Sequence, residues 1–193
     1  MPSYTIKIKK TPNLILPRKA DDLSSGYDIG AISAPEIVGE EIQPGVYRRI
    51  DYIQYRTGLF FDPTDSFYDL DEDENGRVEV EYDTRLHILI FPRSSISKYN
   101  LILANSIGLC DNSYRGEVLV RFKYIYQPED VVFLDPNKHP SFGIRINFDK
   151  IYKSGDRIAQ LIFQEVPPDI KFSIVDELDS TTRASGGFGS SGV

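Results

Sequence analysis

The C-terminal eleven residues carry side chains suited to binding a polyanion. Residues 183–193 read Arg-Ala-Ser-Gly-Gly-Phe-Gly-Ser-Ser-Gly-Val. Glycines let successive backbone N–H groups converge on an anion, serine hydroxyls add donors, and Arg183 supplies a charged fork. Phe188 offers a face on which a nucleobase can stack. A Gly/Ser-rich terminus is also typical of disorder, so this segment indicates a nucleotide ligand only when other residues support it.

The acidity of the chain is concentrated in one segment. The net charge is −7, and residues 69–85 hold eight acids against Arg77 and Arg85, which leaves −1 for the rest. A broad basic face for nucleic acid is therefore not expected. A small polyanion held by a few local arginines and a divalent ion is compatible with this distribution.

Cysteine and histidine usage limits the possible metal chemistry and the compartment. Cys110 is the single cysteine, and His87 and His139 are the only histidines. An internal disulfide, a cysteine-based metal cage and a His-rich zinc site are all excluded. No apolar run is long enough to span a membrane, and no hydrophobic signal region follows Met1. We expect a cytoplasmic or nuclear protein that is not secreted.

Short runs rich in isoleucine, valine, tyrosine and phenylalanine recur along the chain between proline, glycine, asparagine and aspartate. They cover residues 4–9, 46–53, 86–91, 101–105, 118–126, 143–148 and 157–166. Many short strands separated by turn residues predict an all-β sandwich, jelly roll or barrel. One short helix is predicted over residues 96–99, with Ser95 as its N-cap. Asn75-Gly76 predicts the turn of a protruding β-hairpin that carries the acidic segment.

Four further clusters precede the C-terminal segment in a fixed order. They are Ser-Gly-Tyr-Asp-Ile-Gly-Ala at 25–31, Pro-Arg-Ser-Ser at 92–95, Gly-Leu-Cys-Asp-Asn-Ser-Tyr-Arg-Gly-Glu at 108–117 and Gly-Asp-Arg-Ile-Ala-Gln-Leu-Ile-Phe at 155–163. Taken together, the five clusters resemble those of the trimeric dUTP pyrophosphatase (dUTPase) family. The resemblance covers the whole chain, and it implies a distorted jelly-roll or β-barrel fold with one short helix, assembled as a homotrimer.

The resemblance also implies a domain layout. Residues 1–180 would form a single all-β domain with insertions near 62–85 and 127–150, and residues 181–193 a flexible active-site arm. Each active site would be shared, with clusters one, two and four from one subunit, the third from another and the arm from the remaining one.

The implied activity is Mg²⁺-dependent hydrolysis of dUTP to dUMP and pyrophosphate, which limits uracil in DNA and supplies dUMP. Asp111 would deprotonate the water that attacks the α-phosphate, and Tyr114 would pack under the deoxyribose and exclude a 2′-hydroxyl. Asn105 and the backbone of a hairpin over residues 105–111, including Gly108, would read uracil. A turn aspartate, a core tyrosine and a loop asparagine remain the structural alternatives.

The phosphate chain would be bound by the other clusters. Arg93 and Ser94 would contact the phosphates, Ser95 would add a donor or cap the helix, and Gln160 would reach an α-phosphate oxygen. Asp28 would hold a water on a Mg²⁺ that the phosphates chelate, unless it is only a turn residue. Asp156 and Arg157 are expected to form a buried structural pair.

In the tail, Arg183 would reach the γ-phosphate and Phe188 would stack on uracil. The residues expected to wrap the β- and γ-phosphates are Gly187, Gly189, Ser190 and Ser191. Two positions depart from the family pattern, because Ala184 replaces a glycine and Ser191 a threonine. Cys110 stands where an apolar residue is usual, and we interpret it as a small hydrophobic residue because no basic partner is evident.

Two other functions remain open. The related dCTP deaminase shares the fold, but it places a glutamate where this chain has Arg121. A dUTP-gated regulatory module would bind another protein through an insertion. Neither direct nucleic-acid binding nor membrane association is expected. Within the first insertion, residues 71–78 imitate the start of an EF-hand loop, although position twelve is Tyr82 and no flanking helices are predicted.

Overall fold

The computed structural model describes residues 4–73, 76–135, 137, 142–166 and 170–181, with only the backbone described for 64–73 and 76–85. Within these residues the regular structure consists of strands and short 3-10 helices, which confirms the all-β prediction. The strands are β1 Lys7–Ile8, β2 Tyr27–Gly30, β3 Glu36–Gln43, β4 Val46–Arg56, β5 Phe61–Asp62, β6 Thr64–Asp73, β7 Gly76–Pro92, β8 Leu101–Leu103, β9 Gly108–Cys110, β10 Leu119–Tyr124, β11 Val131–Phe133, β12 Phe142–Arg145 and β13 Arg157–Glu165. The 3-10 helices are Ser94–Lys98, Pro128–Asp130 and Phe148–Lys150.

Two curled sheets enclose the core. One contains β11, β12, β4, β10 and β8 in that order, with β3 also paired to β4. The other contains β2, β13, β7 and β6, with β9 also paired to β7. The strands pair antiparallel, and β1 and β5 form a small separate sheet. Because β13 lies between β2 and β7, the first, second and fourth clusters come together on neighbouring strands.

The core follows the alternation of side chains along the strands. On β10, Val120 and Phe122 are buried whereas Arg121 and Lys123 are exposed. Phe122 packs edge-on against Tyr55 of β4, whose hydroxyl donates to the Tyr152 carbonyl oxygen at 3.0 Å. Truncating a buried phenylalanine to alanine typically costs about 3–5 kcal/mol. The face of β10 that carries Arg121 and Lys123 points away from this core.

The predicted helix exists, but its start differs from the sequence expectation. The 3-10 helix spans Ser94–Lys98, and its N-cap residue is Arg93, which makes no side-chain capping bond. Ser95 therefore lies inside the helix and does not cap it. Its Oγ instead accepts a hydrogen bond from Arg93 Nη1 at 3.3 Å. The Arg93 side chain thus engages the hydroxyl that was expected to cap the helix.

The expected hairpin over residues 105–111 is not a hydrogen-bonded hairpin. β8 pairs with β10 in one sheet, whereas β9 pairs with β7 in the other. The connecting turn crosses between the sheets and contains Ser106 at a positive φ of 59°. Leu101 and Leu103 are buried in the core. Packing between the sheets, rather than pairing of β8 with β9, therefore sets the path of this segment.

The acidic segment forms the expected hairpin. β6 and β7 pair in continuous register from Thr64 opposite Arg85 to Asp73 opposite Gly76. Strands therefore flank the EF-hand-like sequence within the described residues, an arrangement unlike an EF-hand, in which helices flank the loop. The second insertion contributes β11 and β12, which pair with each other and join the sheet through β4. In the described part of the chain, no helix is long and apolar enough to cross a membrane.

Candidate active site

The first cluster of site residues surrounds one carboxylate. Asp28 Oδ1 accepts from Arg93 Nε at 2.7 Å, and Asp28 Oδ2 accepts from Arg157 Nη1 at 2.9 Å. The Asp28 side chain is 10% exposed, whereas those of Arg93 and Arg157 are 23% and 53% exposed. These three residues form what we call the Asp28 cluster. One anion thus holds two partly exposed cations, which retain N–H groups for a further anion.

The expected pair between Asp156 and Arg157 is not present. Asp156 lies in the turn before β13, where its Oδ2 accepts the backbone N–H of Lys153 at 2.7 Å. Arg157 opens β13 and bonds to Asp28 on the neighbouring strand. Asp156 is therefore a turn residue, and Arg157 is a member of the site that the sequence analysis missed.

Gln160 stands directly opposite Asp28 on β2 and Phe91 on β7. Its Nε2 donates to the Pro92 carbonyl oxygen at 3.2 Å. A Cβ on Gly26 would lie 2.8 Å from Gln160 Oε1, so glycine leaves the space that this side chain occupies. Gln160 therefore lies beside the Asp28 cluster. Ser94 begins the 3-10 helix that follows β7, immediately next to Arg93.

The donor set near Asp28 is compatible with magnesium only through water. No group of three or more potential metal-ligating side chains was found in the described part of the chain. Both Asp28 oxygens already accept guanidinium N–H groups, but a carboxylate oxygen has a second lone pair that can accept from a metal-bound water. Mg²⁺ commonly keeps several waters and takes substrate phosphates as ligands.

A separate cleft of about 330 Å³ contains the residues of the third cluster. We call it the Asp111 cleft, and the expected site residues that line it are Asn105, Gly108, Asp111 and Tyr114. Gly108 pairs with Ile90 of β7, and a Cβ there would lie 3.1 Å from Ile90 Cβ and 3.2 Å from Asn105 Nδ2. The missing side chain therefore allows strand and asparagine to approach closely.

Asp111 and Tyr114 both face solvent at this cleft. The Asp111 carboxylate makes no hydrogen bond or ion pair with other described residues, so it does not act as a turn cap, although its carbonyl oxygen accepts from Tyr114 N at 3.0 Å. Tyr114 is 47% exposed, and its hydroxyl donates to the Glu117 carbonyl oxygen at 2.9 Å. Tyr114 is thus not a core residue. A carboxylate with free lone pairs beside an exposed ring can contact a bound nucleoside and a water.

Glu117 holds the third cluster against the body of the protein. Its carboxylate pairs with Arg56 at 3.0 Å and accepts the Gly58 N–H at 2.9 Å.

Burial raises the pKa of the Cys110 thiol, and the charge of the adjacent Asp111 raises it further. Cys110 is therefore held as the neutral thiol and packs against the core, as expected for a small hydrophobic residue.

The Asp28 cluster and the Asp111 cleft lie far apart within one chain. β9 runs antiparallel to β7, with Cys110 opposite Ile88 and Gly108 opposite Ile90. The chain after β9 therefore runs away from the end of β7 that leads into Arg93, and the next position in this register places Asp111 opposite His87. Six strand positions separate the two residues, which corresponds to about 20 Å at the usual rise per residue.

The remaining predicted site residues lie outside the described residues. They are the members of the C-terminal segment, Arg183, Gly187, Phe188, Gly189, Ser190 and Ser191.

Solved structures with the same fold are dUTPases. The dUTPase of Staphylococcus bacteriophage 80alpha with dUPNHPP gives a TM-score of 0.63 at 19% identity, and the match covers 99% of this chain and 100% of that one. A mutant dUTPase from phage phi11 of S. aureus, described with a structural Mg(II) ion, gives a TM-score of 0.53 at 16% identity, covering 90% of this chain and 97% of that one. These similarities establish the fold class as that of dUTPases.

Sequence comparisons find similarity to dUTPases over parts of the chain. The dUTPase family model matches residues 145–192, which include the fourth cluster and most of the C-terminal segment. A deoxyuridine 5′-triphosphate nucleotidohydrolase of Desulfitobacterium hafniense is 40% identical over 106 residues, 54% of this chain and 56% of that protein. The protein of the same name from Solanum lycopersicum is 29% identical over 195 residues, 100% of this chain and 83% of that protein. The chain is thus similar to dUTPases in sequence as well as in fold, and it spans little more than half the length of the bacterial relative.

Proposed function

We propose that the protein hydrolyses dUTP to dUMP and pyrophosphate, by attack of an Asp111-activated water on the α-phosphate. The observation that carries the proposal is the exposed carboxylate of Asp111, which has no partner among the described residues and lies at the mouth of a cleft lined by Asn105, Gly108 and Tyr114. A general base needs free lone pairs within reach of the water that it deprotonates. Similarity to proteins named deoxyuridine 5′-triphosphate nucleotidohydrolases supports the choice of substrate.

The Asp111 cleft would bind the nucleoside half of dUTP. The exposed ring of Tyr114 packs under the deoxyribose, where a 2′-hydroxyl would collide with it. The Asn105 amide contacts the edge of the base, and the turn between β8 and β9 supplies backbone donors and acceptors. A close fit of this turn around the base would exclude the 5-methyl group of thymine.

The Asp28 cluster would bind the triphosphate. Arg93 contacts the phosphates, and Ser94 lies near the bridge between the α- and β-phosphates, where charge develops as pyrophosphate leaves. Gln160 reaches an α-phosphate oxygen, and Arg183 with the glycines and serines of the tail closes over the β- and γ-phosphates. The role of Asp28 is to hold Arg93 and Arg157 in place through its two ion pairs.

Magnesium would be held mainly by the substrate phosphates, with Asp28 accepting hydrogen bonds from metal-bound water. The ion supplies charge neutralisation on the triphosphate and on the departing pyrophosphate. The structural Mg(II) ion described for the phage phi11 enzyme supports the use of this metal by the family.

We further propose that the active form is a homotrimer with shared sites. The separation of about 20 Å between Asp111 and Arg93 along the strand supports this proposal, because a second copy could bring its Asp111 next to the Arg93 of the first. Apolar side chains of the segment after β13 also stand exposed in the single chain, namely Ile170, Phe172, Ile174 and Leu178. Burying them against neighbouring copies would remove apolar surface from water.

Pyrophosphate release from each nucleotide tests the proposal. Purified protein with Mg²⁺ is expected to cleave dUTP and to leave dTTP, dCTP and UTP essentially intact, whereas chelation of Mg²⁺ suppresses the reaction. Release of ammonia from dCTP would instead establish a deaminase. Lack of turnover with all of these nucleotides would leave the regulatory module as the better account.

A further inference from the structure

Arg121 lies where the Asp111 cleft meets a second lobe. The second lobe has a volume of about 380 Å³, and Tyr52, Arg121 and Lys123 provide much of its polar lining. Both spaces are bounded by Asn105, Gly108 and Arg121. Lys123 borders only the second lobe. Arg121 is therefore a charged residue at the part of the cleft where Asn105 is placed to read the base.

The Arg121 guanidinium is held in position by neighbouring strands. Arg121 stands directly opposite Gln54 on β4, and Gln54 stands opposite Glu36 on β3. Arg121 Nε donates to Gln54 Oε1 at 2.8 Å, and Gln54 Nε2 donates to Glu36 Oε2 at 2.8 Å. The guanidinium carbon lies 4.3 Å from the centroid of the Tyr52 ring. This row fixes the orientation of the group before any ligand binds.

Two nitrogens of this guanidinium remain available. Among the described residues, its hydrogen-bonding partner is Gln54, which engages Nε and leaves both Nη atoms unused. Arginine donates hydrogen bonds and cannot accept them. Uracil presents a carbonyl oxygen at C4, whereas cytosine presents an amino group that can only donate. An arginine at this edge therefore favours uracil and disfavours cytosine.

We propose that Arg121 is a specificity-determining residue, whose Nη donates to the O4 atom of uracil and thereby discriminates against cytosine. The inference rests on the proposed dUTP hydrolysis and deepens it by naming the group that reads the base. Arg121 would discriminate in two ways. The uracil carbonyl gains a charge-assisted hydrogen bond, and the cytosine amino group faces a guanidinium that can only donate.

The test compares Arg121→Met, Arg121→Lys and the control Lys123→Met. Lys123 lies two positions along the same exposed face of β10, so its change removes a nearby cation without reaching the Asp111 cleft. We expect Arg121→Met to lower kcat/KM for dUTP about 10- to 100-fold, mainly through KM, the usual effect of losing a charged hydrogen bond. The ratio of kcat/KM for dUTP to that for dCTP should fall by at least as much. Arg121→Lys should be intermediate, and Lys123→Met should match the parent.

A substrate analogue locates the contact on the base. 4-Thio-dUTP replaces O4 by sulfur, a weak acceptor. The parent should therefore use this analogue less well than dUTP, and Arg121→Met should lose most of that preference. Suppose that the parent hydrolyses dUTP and that Arg121→Met keeps the parental ratios of kcat/KM for dUTP over dCTP and for dUTP over 4-thio-dUTP. That result would overturn this inference and leave the proposed function intact. A parent inactive on dUTP would contradict the proposed function. In that case the ratio of the affinities for dUMP and dCMP is measured by calorimetry in the parent and in Arg121→Met. An equal ratio in the two proteins would overturn the inference independently.

Discussion

At the scale of single residues, the two aspartates of the candidate site differ in whether their carboxylates are ion-paired. Asp28 pairs with two guanidiniums, whereas Asp111 faces solvent without a partner among the described residues. A paired carboxylate is suited to holding cations in place, and an unpaired one is suited to accepting a proton. These two acids are therefore suited to different roles, although each lies within three residues of a glycine.

Replacing Asp111 by asparagine should separate binding from chemistry. The amide keeps the size of the side chain but is a poor base, so turnover of dUTP should fall by about two to four orders of magnitude. Affinity for a non-hydrolysable dUTP analogue, measured by calorimetry, should stay near that of the parent. Asp149→Asn is the control, since Asp149 pairs only with the exposed Lys153. Parental turnover in Asp111→Asn would remove Asp111 from the role of base.

Replacing Asp28 by asparagine should act on both stability and substrate binding. Without the negative charge, Arg93 and Arg157 face each other with no counter-ion, and two charge-assisted hydrogen bonds weaken. The free energy of unfolding should fall by about 1–3 kcal/mol, and the KM for dUTP should rise. Denaturant titration and steady-state kinetics measure the two effects. Asp149→Asn should change neither, because exposed pairs contribute little; equal behaviour of the two variants would contradict the anchoring role.

At the scale of elements, β7 connects the acidic hairpin to the catalytic region. It spans Gly76–Pro92, pairs with β6 in its first part and with β13 and β9 in its last part. The hairpin therefore extends from the end of β7 opposite to the one that leads into Arg93. Charges beyond about 8–10 Å are mostly screened at physiological salt.

Shortening the hairpin should leave catalysis nearly unchanged. The register places Asp69 opposite Val80, so replacing residues 69–80 by Asn-Gly keeps Tyr68 opposite Glu81 and preserves the lower part of the ladder. Turnover and KM for dUTP should stay within a few fold of the parent, because the removed charges are screened from the substrate site. A large drop in KM on deletion would show that the acidic segment lies close enough to repel the triphosphate.

At the scale of the whole molecule, the two halves of the site belong to different places on one chain. The register of β7 and β9 separates Asp111 from Arg93 by about 20 Å. If hydrolysis needs both groups at the same α-phosphate, as proposed, assembly of several copies would be part of the catalytic machinery.

Mixed oligomers test this division. Arg93→Ala and Asp111→Asn should each be nearly inactive alone, and activity should return when the two chains are unfolded and refolded together. In the mixed species, some sites combine an intact Arg93 from one copy with an intact Asp111 from another. Arg93→Ala refolded with the double variant, which carries both changes, is the control and should stay inactive. Absence of recovery, with mixed trimers verified by native mass spectrometry, would place both residues of a working site on one chain.

Local features of this fold were readable from the sequence because they depend on neighbouring residues. Alternating apolar residues predicted β4, β7, β10 and β13, and Asn75-Gly76 predicted the hairpin of β6 and β7. The order of the five clusters indicated the family before any strand was placed. Side-chain alternation and turn conformations are determined over two to four residues, so the local sequence is sufficient to predict them.

The tertiary structure decided which of these local features meet. The sequence predicted a pair between Asp156 and Arg157, a helix cap at Ser95 and a hairpin over residues 105–111. In the structure, Arg157 pairs with Asp28 and Ser95 lies inside the helix. The strands β8 and β9, on either side of the turn, belong to different sheets. It also placed Arg121 at the cleft and Asp111 far from Arg93. Contacts between distant strands depend on register and on which face each strand buries against the core, and neither is encoded within one segment.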